Sequence, residues 1–210
     1  MFRLICLAIG YAFGCIQSAY ITGKLTRGID IREYGSKNSG FTNANRVMGF
    51  KIGVWIFLAD VIKAVLAFLV ACRMLDGGSW LVHGCVYWLL PGVWAGLGVI
   101  LGHNFPVFMK FRGGKGISCS VGLLIMLDWR AALIIYAIAI VLILLTRYIS
   151  LASLTITFLM PVFMAIFSHG WEVIAVTSVL GALAWFMHRE NIKRLVTGNE
   201  RKFSFKSKPA

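Results

Sequence analysis

Apolar residues form long continuous stretches along this chain, and shorter polar stretches separate them. The apolar stretches cover approximately residues 4–24, 52–72, 80–101, 116–127, 131–146, 150–168 and 171–187. Because a helix needs roughly 20 apolar residues to cross a bilayer, this pattern predicts an all-α integral membrane protein. We expect seven transmembrane helices, of which the fourth is short, in a single domain that spans residues 1–210.

Composition agrees with a membrane location. Hydrophobic residues make up 59% of the chain and the mean hydropathy is +0.81, values that exclude an ordinary soluble domain. The first apolar stretch resembles a signal peptide, but it continues to Leu25 without a convincing cleavage site, so we expect it to form the first transmembrane helix. Within it, Gly10, Gly14 and Ser18 are spaced by four residues and predict close helix packing.

Basic residues predict the orientation of the chain. With an odd number of helices, one side of the membrane collects nearly all of the lysines and arginines, including Lys24, Arg27, Arg46, Lys115, Arg147 and Arg194, and the other side collects Arg3, Arg73 and Arg130. Since cytoplasmic segments carry the excess of positive charge, we place the N-terminus outside and the C-terminus in the cytoplasm. The net charge of +13 therefore indicates topology, and nucleic acid is not an expected partner.

Residues 102–116 (GHNFPVFMKFRGGKG) form the polar segment that is richest in glycine. Gly113, Gly114 and Gly116 allow the backbone to approach a ligand closely, and Lys115 adds a positive charge among them. The apolar helix that follows points its N-terminus at the same place, so the loop is a predicted phosphate site, with a simple basic turn as the alternative. The spacing does not match a Walker A motif.

Two further polar segments are predicted on the same side, at residues 26–50 and 188–210. The first contains GSKNSGFTNANR at residues 35–46, whose hydroxyls, amides and cations suit an anion, with a solvated turn as the alternative. In the second, His188 and Asn191 share one helical face and are the best pair for chemistry, with a basic helix on anionic lipid as the alternative.

Several polar residues in or beside the apolar stretches allow two interpretations. Asp60 and Lys63 lie three residues apart in the second stretch and form either a structural ion pair or part of a substrate pathway. His103 either caps a helix C-terminus or takes part in chemistry. Ser150 and Ser153 either cap the next helix or contact a ligand.

Several kinds of site are not expected. The cytoplasmic segments hold few carboxylates, so no metal and no cofactor is predicted. Neither a His-x4-Asp motif nor a Gly-x-Ser-x-Gly motif occurs. His83 is interpreted as an interfacial residue near an outer turn at residues 76–79, and the cysteines as buried apolar residues at Cys6, Cys15, Cys72, Cys85 and Cys119. Catalysis should then depend on positioning and charge stabilisation.

The three polar segments together resemble the signature regions of the bacterial acyl-phosphate-dependent glycerol-3-phosphate acyltransferases. The resemblance covers nearly the whole chain, and it implies transfer of a fatty acyl group from acyl phosphate to the 1-position of glycerol 3-phosphate at the cytoplasmic face of the cell (inner) membrane. It also implies lysophosphatidic acid as product, no coenzyme A or metal, and functional coupling to the soluble enzyme that supplies acyl phosphate. A transporter or lipid-moving protein for an organic phosphate is the alternative from another class.

The resemblance also implies roles for individual residues of this sequence. Lys115, His188 and Asn191 would act in catalysis. The residues that would bind substrate are Ser36, Asn38, Thr42, Asn43, Arg46, His103, Gly113, Gly114, Gly116, Ser150 and Ser153. Lys37, Phe41, Arg112 and the pair Ser118 and Cys119 depart from the usual family pattern, which bears on acyl-chain preference and on the shape of the first loop.

Overall fold

The structure is a computed structural model that describes residues 1–75 and 86–204. The described residues contain α-helices and two short 3-10 helices, at Ile31–Glu33 and Val107–Met109. The α-helices are α1 (Phe2–Gly14), α2 (Ser18–Arg27), α3 (Phe41–Met48), α4 (Phe50–Leu75), α5 (Val86–Asn104), α6 (Ile117–Leu127), α7 (Trp129–Thr146), α8 (Ile149–Ile166), α9 (Trp171–Met187) and α10 (Arg189–Val196). His83, Cys85 and the turn predicted at 76–79 lie outside the described residues.

The all-helical membrane fold is confirmed, but not every predicted segment is long enough to cross a bilayer. Within the described ranges, five stretches have the necessary length and composition: Phe2–Arg27, Phe50–Met74, Leu89–Met109, Trp129–Thr146 and Ile149–Ile166. Helices α9 and α10 are bent by 63° and would make a sixth crossing if they form one broken span. Helix α6 has 11 residues. The count of seven and the orientation of the termini stay predictions.

Two predicted segments differ in detail from the structure. The first apolar stretch is not one continuous helix, because α1 ends at Gly14 and α2 begins at Ser18. At this break the carbonyl oxygen of Ile16 accepts a hydrogen bond from the buried side chain of Lys63 on α4, and the side chain of Gln17 donates to the carbonyl oxygen of Gly102 on α5, which stabilises the interruption. No helix was predicted within the first polar segment, residues 26–50, yet it contains α3, whose residues Ala44, Val47 and Met48 are buried. They pack against Ile31 and Ile56, and this apolar face is what makes α3 helical.

Helices α1 and α5 approach so closely that their backbones touch. A Cβ atom added at Gly10 would overlap the carbonyl oxygen of Ala95, and one added at Gly98 would overlap the carbonyl oxygen of Leu7. The predicted packing role is therefore confirmed for Gly10, and it also holds for Gly14.

Longer helices cover most of the short helix α6, whose Ile125 is exposed. Leu123 and Leu124 of α6 are fully buried in the main apolar core, together with residues of α4, α5 and α8. By contrast, the outward face of α7 exposes large apolar residues, namely Leu133, Ile134, Ile138, Ile140, Val141, Leu144 and Leu145. A continuous exposed apolar face of this kind is suited to lipid. The short α6 therefore lies inside the bundle, with its N-terminus at a polar end.

The α1–α5 contact predicts that a side chain at Gly10 destabilises the fold. In Gly10→Val, the new atoms overlap the backbone of α5, so the helices must separate and we expect a cost of about 1–3 kcal/mol or more. Thermal unfolding in detergent should show a lower melting temperature. The matched control is Ala12→Val, because Ala12 lies on the exposed face of α1. Equal melting temperatures for the two variants would show that the helices are not in backbone contact.

Candidate active site

Polar side chains from separate parts of the chain meet at the end of the bundle where α8 begins and α9 ends. Lys115, which precedes α6, donates a hydrogen bond from Nζ to Oδ1 of Asn191 on α10. Asn191 Nδ2 donates to Glu200 Oε1 at 2.7 Å, and Ser150 Oγ of α8 donates to the same oxygen at 3.0 Å. The structure thus brings together three predicted site residues, Lys115, Asn191 and Ser150.

Glu200 is at the centre of this cluster, although it is not among the predicted site residues. Its second oxygen, Oε2, accepts a hydrogen bond from Arg194 Nε at 2.7 Å. Burial raises the pKa of Glu200, but the hydrogen bonds from Asn191, Arg194 and Ser150 outweigh burial and hold its pKa below the usual value. The available signal in the sequence was a rare carboxylate at the end of a cationic segment.

Lys115 is a partly buried cation in an environment that contains other cations. Burial, and after it the charge of Arg194, lowers the pKa of Lys115 from its ordinary value to about 8, although Glu200 opposes this shift. An ammonium that loses solvation in this way gains most from an anionic ligand. The position of Lys115 therefore suits an anion-binding role.

The backbone of residues 113–116 caps the end of α5 and leads into the start of α6. The N–H group of Gly113 donates to the carbonyl oxygen of Asn104 at 3.1 Å, and that of Gly114 donates to the carbonyl oxygen of His103 at 2.9 Å, so both cap α5. Their predicted contact with phosphate stays a prediction. Gly116, with a φ of 78°, precedes α6, whose first turn has no side-chain cap. The free N–H groups and positive dipole end of α6 are the part of this loop whose chemistry suits an anion.

His188 lies at the bend between α9 and α10, with 4% of its surface exposed. Its Nδ1 lies 2.8 Å from the carbonyl oxygen of Ala184. Because a carbonyl oxygen only accepts, Nδ1 must carry the proton of this hydrogen bond. In the neutral ring, Nε2 then has a lone pair available for a hydrogen bond or a proton.

Asn43 shapes the first polar loop from the inside. Its Oδ1 accepts from the N–H group of Ser36 at 2.7 Å, and its Nδ2 donates to the carbonyl oxygens of Ile31 at 3.1 Å and Tyr34 at 3.0 Å. Both amide hydrogens are thus used within the fold, and the side chain is 1% exposed. The contacts that the structure gives Asn43 hold a turn, and binding of substrate by Asn43 or Ser36 stays a prediction.

Arg46 extends the cationic environment from α3. It lies within electrostatic range of Glu200, Arg194 and Arg201, and it makes no hydrogen bond or ion pair with any residue that the structure describes. Asn38 precedes α3, and Thr42 lies in its first turn. The first loop therefore contributes one partly buried guanidinium to the site through α3.

The helix-capping interpretation of Ser150 and Ser153 is wrong. The residue that caps α8 is Tyr148, and the cap has no side-chain hydrogen bond. Ser150 lies one residue too far along the helix and its hydroxyl reaches Glu200, whereas Ser153 Oγ donates to the carbonyl oxygen of Ile149 at 2.9 Å. Of the two serines, Ser150 is therefore the one that belongs to the site cluster.

His103 belongs to a separate buried cluster below residues 113–116. Its Nδ1 lies 3.0 Å from Lys63 Nζ, so its ring does not cap the carbonyl groups of α5 as the first alternative held. The second alternative, a part in chemistry, stays a prediction. Asp60 Oδ1 lies 2.8 Å from the same Nζ, so the predicted structural ion pair is confirmed.

One group of potential metal ligands exists among the described residues. Ligand atoms of Asp60, His103 and Cys119 all lie within 4.8 Å of one another. The ammonium group of Lys63 already lies between Asp60 and His103, at hydrogen-bonding distance from both. Since a bound cation would have to compete with this ammonium for the same oxygen and nitrogen atoms, the donor set does not suit a metal ion.

The sequence and the all-helical membrane fold of this chain are similar to those of known membrane acyltransferases. The family model described as "Glycerol-3-phosphate acyltransferase" matches residues 4–198. A relative of that name from Thermoanaerobacter sp. (strain X514) is 41% identical over 207 residues, which is 99% of this chain and 98% of the relative. Another from Aquifex aeolicus (strain VF5) is 34% identical and covers 97% of this chain and 100% of the relative.

Solved structures are similar over nearly the whole chain. The glycerol 3-phosphate form of PlsY (YgiH), an integral membrane glycerol 3-phosphate acyltransferase, has a TM-score of 0.84 at 34% identity, with 96% of both chains covered. The lysophosphatidic acid form has a TM-score of 0.82 at 33% identity and covers 98% of this chain and 97% of that chain. The chain therefore belongs to the glycerol-3-phosphate acyltransferase family. It is an enzyme, and this assignment decides against the transporter hypothesis.

The contacts of Glu200 predict that its truncation impairs catalysis and moves the pH profile. In Glu200→Ala, Asn191 and Ser150 lose their common acceptor and Lys115 loses a stabilising negative charge. We expect kcat/KM to fall by roughly tenfold to a hundredfold, and the alkaline limb of the profile to move to lower pH. Acyl transfer measured across a pH series gives both values. The control is Glu190→Ala in α10, an exposed residue whose charge acts on Lys115 less than that of Glu200 does; equal losses in both variants would contradict a specific role for Glu200.

Proposed function

We propose that this enzyme transfers a fatty acyl group from acyl phosphate to the sn-1 hydroxyl of glycerol 3-phosphate, and releases lysophosphatidic acid and phosphate. The observation that carries the proposal is the juxtaposition of Lys115, the uncapped N-terminus of α6 and the guanidinium of Arg46. Both substrates carry phosphate groups, and a site with cations and free N–H groups stabilises them. The solved relatives bear the names of the acceptor and of the product, which supports the same reaction here.

The chemical step requires no redox partner. A bond forms between the sn-1 oxygen and the acyl carbon, the bond from that carbon to the phosphate oxygen breaks, and phosphate leaves with the bonding electron pair. The proton of the hydroxyl group passes to a phosphate oxygen of a substrate. Glu200 is a poor base for this proton, because three donors hold its carboxylate in the ionised form.

Individual residues have distinct roles in this proposal. Lys115 and the first turn of α6 bind a phosphate group, with Gly113, Gly114 and Gly116 giving the loop its shape. Asn191 and the Nε2 atom of His188 contact the reacting groups. The remaining substrate contacts come from Ser36, Asn38, Thr42, Arg46 and Ser150. Asn43 maintains the turn before α3, and the buried His103 lies beneath Gly114.

The proposed topology has seven crossings, in which α6 and α9 supply those that are not among the five long spans. The N-terminus lies outside and the active site faces the cytoplasm, since the site end of the bundle carries the excess of lysine and arginine. In this arrangement the enzyme lies in the cell (inner) membrane. Acyl phosphate enters the site from the membrane, and glycerol 3-phosphate enters it from the cytoplasm. A soluble enzyme that makes acyl phosphate is the expected functional partner.

Donor specificity tests this proposal directly. Purified enzyme receives radiolabelled glycerol 3-phosphate with palmitoyl phosphate or, separately, with palmitoyl-coenzyme A, each with and without chelator. We expect lysophosphatidic acid from palmitoyl phosphate alone, at a rate that the chelator does not change. Product from palmitoyl-coenzyme A alone would overturn the choice of donor, and strong inhibition by chelator would indicate a metal.

The pKa of Lys115 predicts how binding depends on pH. The protonated form binds phosphate, so its contribution is fully present well below pH 8 and is lost as the pH rises through about 8. We expect kcat/KM for glycerol 3-phosphate to decline above this value in the wild type, and to be roughly a hundredfold lower at pH 7 in Lys115→Ala.

Two control variants make the assignment to Lys115 specific. In Lys115→Arg the decline near pH 8 should disappear, because a guanidinium group does not titrate in this range. Lys110→Ala removes an exposed lysine from the same segment and should keep the wild-type profile. A decline near pH 8 that persists in Lys115→Arg would assign it to another group.

A further inference from the structure

A buried charge cluster lies deeper in the bundle than the proposed active site. Asp60 and Lys63 of α4 are 1% and 5% exposed, and their ion pair measures 2.8 Å from Nζ to Oδ1. Ionised side chains inside a membrane bundle are unfavourable unless other groups solvate them, and they are therefore rare. The partners of this pair show how the fold stabilises it.

The interruption between α1 and α2 solvates the ion pair. Lys63 Nζ donates to the carbonyl oxygen of Ile16 at 2.7 Å, and Ser18 Oγ donates to Asp60 Oδ1 at 2.9 Å. Gln17 Nε2 donates to the carbonyl oxygens of Gly14 at 3.1 Å and of His103 at 3.2 Å. Hydrogen bonds thus connect the break between α1 and α2 to both α4 and the C-terminal end of α5.

The third N–H group of the Lys63 ammonium determines the tautomer of His103. An ammonium group only donates, so at 3.0 Å His103 Nδ1 must act as the acceptor, and the neutral ring carries its proton on Nε2. This is the tautomer opposite to that of His188, whose Nδ1 carries the proton. Lys63 therefore determines which atom of the His103 ring is the donor.

The Nε2 edge of His103 lies directly against the loop that carries Lys115. A Cβ atom added at Gly114 would overlap Nε2, and the N–H group of Gly114 bonds to the carbonyl oxygen of His103 at 2.9 Å. Ring and backbone of His103 thus support the loop one residue before Lys115. A shift or flip of this ring must move the loop, since no free space separates them.

We propose that Lys63 and Asp60 are positioning residues for glycerol 3-phosphate binding, which act by holding the His103 ring, with Nε2–H toward the loop, beneath Gly114. The proposal rests on the proposed phosphate-binding role of Lys115. In this proposal, the Asp60–Lys63 pair has a function other than stability. It fixes the position and limits the motion of residues 113–116. Neither residue touches substrate, and each acts through His103.

A charge-free double variant separates this role from stability. In Asp60→Asn with Lys63→Met, both charges are removed together, so neither charge is left buried without its partner. The measurement is the melting temperature together with KM for glycerol 3-phosphate and kcat, with palmitoyl phosphate as donor. We expect an unchanged or higher melting temperature and a KM raised by roughly tenfold to a hundredfold, with kcat changed less. Wild-type KM in folded protein would overturn the proposal.

The ion pair at the other end of the bundle is the matched control. Arg3 Nε lies 2.6 Å from Glu172 Oε1, and Trp94 Nε1 donates to the same oxygen. The double variant Arg3→Gln with Glu172→Gln should leave KM for glycerol 3-phosphate at the wild-type value. A rise in KM equal to that of the double variant at Asp60 and Lys63 would show a general effect of lost ion pairs, and would overturn the proposal.

A single variant keeps the test decisive if the double variant does not fold. His103→Asn retains an acceptor near the Nδ1 position for Lys63, but it removes the ring edge beneath Gly114. We expect it to fold and to show a raised KM for glycerol 3-phosphate, and a wild-type KM would overturn the proposal. Activity of the wild type tests the proposed function separately: if wild-type enzyme makes no lysophosphatidic acid, the reaction is wrong regardless of the behaviour of Lys63.

Nitrogen-15 NMR of labelled histidine gives a direct readout of the tautomer. In the wild type, the signal that disappears in His103→Asn should be that of a neutral ring protonated at Nε2. Protonation at Nδ1 would overturn the proposal, because Lys63 could not then donate to that atom.

Discussion

A bilayer provides no water for polar groups, so a charged group inside this bundle is stable only where other groups of the protein solvate it. The ammonium group of Lys63 is the most demanding of these groups, because it is charged and 5% exposed. Asp60, the carbonyl oxygen of Ile16 and Nδ1 of His103 are its partners. The interruption between α1 and α2, the close contact of α1 with α5 and the position of residues 113–116 are all consistent with this one requirement. In this account, the Asp60–Lys63 pair holds residues 113–116 in position through His103.

In the proposed active site, too, charged groups are compensated by partners within the protein. Its cations outnumber its carboxylates, and Glu200 compensates part of the excess by accepting hydrogen bonds from Asn191, Arg194 and Ser150. The remaining positive charge, on Lys115 and Arg46, is available for phosphate. Positioned cations and a helix N-terminus stabilise charge without reorganisation during the reaction, which is how a site without a free carboxylate base can support acyl transfer.

Much of this organisation could be predicted from the sequence, because apolar length and charge patterning are determined by the bilayer rather than by details of packing. The membrane fold, the family and the convergence of Lys115, Asn191 and Ser150 were predicted. The break after Gly14 and the helix α3 were not, since both depend on contacts with residues far away in the chain, such as Lys63 and Ile56. Glu200 was missed although it is a rare carboxylate in a cationic segment, because its hydrogen bond with Ser150, 50 residues earlier in the chain, is visible only in the fold.

A structure of the enzyme with glycerol 3-phosphate bound tests the central claim most directly. We predict that the phosphate group lies at the N-terminus of α6, with Lys115 Nζ and the guanidinium of Arg46 turned toward it. Lys115 would then exchange its contact with Asn191 for the phosphate, while Glu200 keeps Arg194. A phosphate group found away from α6, with Lys115 still bonded to Asn191, would contradict this account of the site.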